Sequence, residues 1–117
     1  MLDVIMGVAY SVSNVQKSVE FYGKTLGLRK IHGDDKNWAE FAVGEKRLYL
    51  FDQKIAQGKT GTGGAVMFMV SNIARTTQWL SERGVKVEAA MDSPGGGHAA
   101  RFTDPDGNVV GIFEPPH

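Results

Sequence analysis

The sequence predicts an α+β domain of two tandem βαβββ modules, in which a curved mixed β-sheet carries one helix per module on its outer side. Three observations predict it. Val12-Ser13-Asn14-Val15-Gln16-Lys17-Ser18 aligns with Val70-Ser71-Asn72-Ile73-Ala74-Arg75-Thr76, with Phe21-Tyr22 opposite Trp79-Leu80, so one unit is used twice. Short runs of alternating or β-branched residues stand before and after each helical stretch. Near the C-terminal end, Asp104-Pro105-Asp106-Gly107-Asn108 closes a hairpin: Pro105 presets φ, Gly107 supplies a positive φ, and the Asp and Asn side chains bond nearby N–H groups.

Taken in order, Val4 to Val12 alternates as a strand, with Val4, Met6, Val8, Tyr10 and Val12 on a bulky face and Ile5, Gly7, Ala9 and Ser11 on the other. Ser13 or Asn14 is a natural N-cap, and Ser13 with Gln16 fits a capping box. Val15, Val19, Tyr22 and Leu26 form one apolar helical stripe, stopped at Gly27. Leu28–His32, Trp38–Val43 and Arg47–Asp52 read as three short strands. Residues 1–52 make the first module, 53–63 a flexible linker rich in Gly, Lys, Thr and Gln, and 64–117 the second module of a single domain. The second module repeats the plan with a strand Ala65–Val70, a helix Ile73–Arg83, a strand Val85–Ala90, a Pro94-Gly95-Gly96-Gly97 loop and the hairpin, whose last strand is Val109–Glu114. Gly58-Lys59-Thr60 lacks the earlier glycine of a phosphate-binding loop and is set aside.

Composition narrows the function. Among 117 residues, thirteen basic side chains balance thirteen acidic ones with no Lys/Arg run, which leaves no electrostatic footprint for nucleic acid or an anionic membrane. No cysteine is present, so thiol chemistry and thiolate metal sites are excluded, and a reducing cytoplasm suits the chain. The N-terminus lacks the basic and apolar regions of a secretory signal, and no stretch is long enough to span a bilayer.

If the bulky strand faces meet the helices, the opposite faces carry Gly7, Ala9, Ser11, Ala65 and Gly111 beside Tyr49, Phe51, Met67, Met69 and Phe113. Small residues leave space and the aromatic and Met residues line it, which is the form of a small-molecule chamber. The competing reading is that the small residues accommodate a packed chain or a tight strand crossing.

Val12-Ser13-Asn14 with Ser18 and Phe21-Tyr22, Leu26-Gly27-Leu28, Val70-Ser71-Asn72-Ile73 and Asp104-Pro105-Asp106-Gly107-Asn108 follow one another across almost the whole chain. In this order and spacing the sequence resembles the vicinal-oxygen-chelate superfamily of glyoxalase I, extradiol dioxygenases and the bleomycin, mitomycin and fosfomycin resistance proteins. The resemblance implies a cup-shaped sheet, often completed by homodimerisation. Metal enzymes of that family place His, Glu or Gln at four inward strand positions, which fall here on Gly7, Tyr49, Ala65 and Gly111. Three of these carry no donor. The expectation is therefore a domain with no metal and no other cofactor.

Ligand-binding candidates are Gly7, Ala9, Trp38, Arg47, Tyr49, Phe51, Met67, Met69, His98, Arg101, Gly111 and Phe113. Trp38 and Tyr49 offer stacking surfaces or core packing, and Arg47 and Arg101 a fork for an anionic ligand group or solvated edge positions. His98, after three glycines, is either a base on a mobile lid or a surface histidine. His117 is terminal. The expected function is metal-independent binding of a small apolar or aromatic molecule, as in drug sequestration. Two rivals are a metal-dependent lyase or dioxygenase with ligands relocated to His32, His98 and Glu40, and a structural or regulatory dimer module.

Overall fold

A computed structural model describes residues 1–56, 59–61 and 64–117. The chain divides into two compact units: Met1–Gly63 with Pro105–Asn108, and Gly64–Asp104 with Val109–His117. Each holds a four-stranded mixed sheet.

In the first unit, β1 (Gly7–Val12) leads into α1 (Val15–Val19), followed by β2 (Arg29–His32), β3 (Trp38–Val43), β4 (Lys46–Asp52) and a short α2 (Gln53–Ala56). The sheet order is β1-β4-β3-β2, with β1 parallel to β4 and the other pairs antiparallel. In the second unit, β5 (Val66–Met69), α3 (Ile73–Glu82), β6 (Met91–Asp92), β7 (His98–Thr103) and β8 (Val109–Glu114) give the order β5-β8-β7-β6, again with one parallel pair. The repeat read from the sequence is thus a repeat of topology. Its clearest mark is a pair of matching caps: Asn14 and Asn72 hold nearly the same extended backbone, and their Oδ1 atoms accept from Lys17 N at 3.0 Å and Arg75 N at 2.9 Å. The Ser13–Gln16 capping box does not form. Ser13 instead donates its backbone N–H to Asp106 Oδ2 at 3.1 Å, leaving Asn14 to cap.

Several elements shift by one residue at an end, and four differences from expectation are larger. The first strand starts at Gly7 rather than Val4, because β4 supplies partners only from that register onward; Val4 and Met6 stand exposed rather than on a buried face. The first helix changes character after Val19, and residues Glu20–Thr25 form a π-helical turn in which Leu26 N reaches Phe21 O at 2.9 Å. The strand expected over 85–90 is absent. Val85 N bonds back to Leu80 O at the helix end, Glu88 makes a single backbone bond to Arg101 O, and a ladder forms only at Met91–Asp92. The linker opens with α2, and Gln57, Gly58, Thr62 and Gly63, including the glycine of the Gly-Lys-Thr triplet, lie outside the described residues.

Tyr10, Val12, Val15, Tyr22, Phe41, Leu48 and Leu50 are the core of the first unit, with Tyr22 stacked on Tyr10 at 6.2 Å. Ile73, Leu80, Val85, Phe102, Val110 and Ile112 serve the second. One polar side chain is out of place: Ser18 is fully buried and its hydroxyl has no hydrogen-bond partner among the described residues. Its counterpart Thr76 donates to Asn72 O at 3.0 Å. Ser18→Ala is therefore expected to stabilise the protein by about 1 kcal/mol, since it removes an unpaired hydroxyl and improves helix propensity. A urea titration that shows destabilisation would contradict the assignment.

Candidate ligand-binding faces

Strand alternation gives each sheet one face packed under its helix and one that is not. In the first unit the second face has three cross-strand rows: Gly7, Arg47 and Ala42; Ala9, Tyr49 and Glu40; Ser11, Phe51 and Trp38. Trp38 and Phe51 stack at 6.4 Å and 14°, and Tyr49 and Phe51 at 6.0 Å and 13°, so three rings form one half-exposed aromatic platform. Arg47 Nε lies 3.4 Å from Glu40 Oε2, which neutralises the charge beside the platform.

The loop before Trp38 is fixed by Asp34. Its Oδ1 accepts from the N–H groups of Asn37 at 2.7 Å, Lys36 at 2.9 Å and Trp38 at 3.3 Å, and its Oδ2 from Asn37 Nδ2 at 2.9 Å. The Asn37 N–H bond, followed by that of Lys36, holds the Asp34 carboxyl well below the usual carboxylate range.

In the second unit the corresponding face runs Arg101, Gly111 and Met67, then Ala99, Phe113 and Met69. It forms a concavity of about 480 Å³ lined by Ala65, Met67, Glu88, Ala89, Met91, Ala99, Ala100, Arg101, Val109 and Gly111. Eight of these ten residues are apolar or glycine, and the two charged ones, Arg101 and Glu88, are ion-paired to each other through Nε and Oε2. Gly111 itself is buried, because the Met67 thioether lies over it where a Cβ would stand. The bare position is covered by a flexible side chain.

Eleven of the twelve expected binding residues thus fall on these two faces, six in the first unit and five in the second. His98 does not. It opens β7 on the same alternation as buried Ala100 and Phe102, is absent from the concavity, and places Nδ1 3.2 Å from Asp92 Oδ1. It belongs to a strand rather than a lid. The lining residues Glu88 and Met91 were missed by sequence reading, since their segment departs from regular strand geometry; the Glu88–Arg101 pairing carries no local sequence signal.

At the end of β8, Glu114 Oε1 accepts from Ile73 N at 2.7 Å at the start of α3, and Oε2 lies 3.0 Å from His117 Nε2. The Ile73 bond lowers the Glu114 pKa from its ordinary 4.5, opposed by desolvation and aided by His117. Both depressed carboxylates, Glu114 and Asp34, stabilise the fold fully above their ordinary values of 4.5 and 3.8, and that stabilisation is lost as pH falls through their lower folded values. The expected result is a loss of stability on acidification below about pH 4.5 that is shallower in Glu114→Gln. Urea midpoints measured across that range check it, and identical slopes would contradict it.

The four positions at which the resemblance puts metal ligands offer no fitting donor set. A side chain on Gly7 has no room because its Cβ would fall on the Arg47 backbone, Gly111 lies under Met67, Ala65 has no donor, and Tyr49 offers a single phenol oxygen. Nor are His32, His98 and Glu40 gathered: among the described residues no three His, Asp or Glu side chains come together as a metal site. Glu40 is turned to Arg47 and His98 to Asp92.

Paired modules with parallel β1–β4 and β5–β8 contacts, each presenting one open face, define a known class. The chain belongs to the Glyoxalase/Bleomycin resistance protein/Dioxygenase superfamily, whose family model matches residues 4–112. It is 27% identical to "Uncharacterized protein YraH" of Bacillus subtilis (strain 168), over 94% of this chain and 97% of that protein. Among solved structures it is similar to TnmS3, an antibiotic binding protein from Streptomyces sp. CB03234, with 27% identity, a TM-score of 0.82 and 97% of each chain covered. Lactoylglutathione lyase from Agrobacterium tumefaciens shares the fold, with 22% identity, a TM-score of 0.81, and 96% of this chain and 93% of that one covered.

Proposed function

We propose that this protein binds a small apolar or aromatic organic molecule without a metal ion, and that it acts by sequestration. The observation that carries the reading is the concavity of the second unit, about 480 Å³ with an almost wholly apolar lining and a single ion pair. Its size and chemistry are those of small-molecule sites. Met67 and Met91 give it an adaptable wall, as thioethers repack around guests of different outline. In the first unit the Trp38–Phe51–Tyr49 stack supplies a flat surface for an aromatic ring. The likeness to an antibiotic binding protein supports the same reading. The proposal extends to a cytoplasmic homodimer; exposed Leu2, Val4, Ile5 and Met6 favour a second copy, and light scattering reads the mass.

Methionine methyl NMR tests the binding. With the methyl groups labelled, 2-methylnaphthalene should shift the signals of Met67 and Met91 saturably, while the signal of Met1 stays still. Shifts at none of them, or equal shifts at all five methionines, would overturn the proposal.

A further inference from the structure

The ion pair of the second unit defines which guests that concavity selects. Its floor is uncharged, so discrimination among aromatic molecules of similar outline rests on Arg101 and Glu88. Arg101 stands in the row that crosses Gly111 to Met67, on the open side of the sheet. Its guanidinium uses Nε for Glu88 Oε2, while Nη1 and Nη2 meet no acceptor among the described residues. A second contact fixes the pair: Glu88 N donates to Arg101 O at 2.9 Å, which holds the two residues side by side and keeps the carboxylate beside the guanidinium. The site is thus neutral in sum, yet offers N–H donors and no free positive charge.

We propose that the concavity selects neutral aromatic molecules bearing a carbonyl acceptor for the Arg101 Nη groups and discriminates against aromatic carboxylates. This rests on the reading given under Proposed function. A ketone or amide oxygen takes an Nη–H bond without disturbing the ion pair, and its ring lies on Ala99, Met67 and Met91. A carboxylate must shed water over an apolar lining and settle near Glu88, so it meets a like charge whose partner is already engaged. Removing the Glu88 charge without changing its volume frees Arg101 to act as a fork for that carboxylate.

Three naphthalenes of one shape separate the terms: 2-methylnaphthalene, 2-acetonaphthone and 2-naphthoate, titrated calorimetrically into the wild type, Glu88→Gln and Arg101→Gln. In the wild type the ketone should bind about threefold more tightly than the acid, the scale that a solvent-exposed charge contact sets. Glu88→Gln should bring that ratio to about one or invert it, and Arg101→Gln should weaken the ketone toward the methyl compound. Each affinity is expressed relative to that of the methyl compound in the same protein, and a urea midpoint near that of the wild type reports an intact fold. Equal binding of ketone and acid by the wild type, or an unchanged ratio in Glu88→Gln, would overturn the selectivity while leaving the apolar site standing. Failure of 2-methylnaphthalene to bind any of the three would overturn the apolar-guest reading itself.

Discussion

Gly7→Ala is expected to cost roughly 3 kcal/mol or more of stability, the upper end of what overpacking a close contact does. Gly7 faces Arg47 across the parallel β1–β4 pair, and an alanine Cβ would fall on the Arg47 carbonyl oxygen, with the carbonyl carbon at 2.6 Å and the amide nitrogen at 2.9 Å. Backbone cannot swing aside as a side chain can, so the start of β1 must separate from β4. Gly111→Ala is the informative comparison, because the atoms nearest its added methyl are those of the Met67 thioether, the far end of a flexible chain. It should cost about 1 kcal/mol or less and narrow the concavity as Met67 moves. Urea denaturation of both variants checks the contrast, and equal losses would contradict it. The two positions resemble each other in sequence, yet one is a backbone approach and the other a covered gap.

Asn108→Ala should lower stability by about 1–2 kcal/mol, the net worth of two part-buried hydrogen bonds. Asn108 is buried in the hairpin turn; its Oδ1 accepts from Gly61 N at 2.8 Å and its Nδ2 donates to Ser11 O at 3.1 Å. Alanine leaves both backbone groups without that partner. Asn108→Asp retains an acceptor for Gly61 and loses the donor to Ser11, so its loss should fall between wild type and alanine. Thermal and urea unfolding should rank the three accordingly; an alanine variant as stable as wild type would show that the turn is held by other bonds.

Local chemistry was legible in the sequence. The Asx caps, the helices' starts and the Asp-Pro-Asp-Gly-Asn turn are decided within a few residues; Gly107 has φ +83°, as that turn requires. Face assignment was legible too, since alternation places Tyr49 with Phe51, Met67 with Met69 and Gly111 with Phe113 wherever a strand exists. What escaped depends on distant partners. Alternation from Val4 continues smoothly to Val12, but only β4 decides where pairing begins. The 85–90 segment carries Val85 and Val87, yet its first N–H is already used by α3. Glu88 reaches Arg101 from thirteen residues away, and no periodicity announces it. His98 follows a triple glycine that reads as a loop, whereas β8 pairs the residue into a ladder opposite Glu114 and leaves its side chain exposed.

The central claim, an organic guest held without a metal ion, is tested most directly by titrating 2-methylnaphthalene into protein purified without chelator, before and after EDTA, with the metal content of each sample measured. The account predicts that the affinity is unchanged within about twofold, a difference of well under 1 kcal/mol, and that nickel, zinc, manganese and iron are all substoichiometric. One equivalent of any of them per chain, with binding abolished by EDTA and restored by that ion, would contradict it.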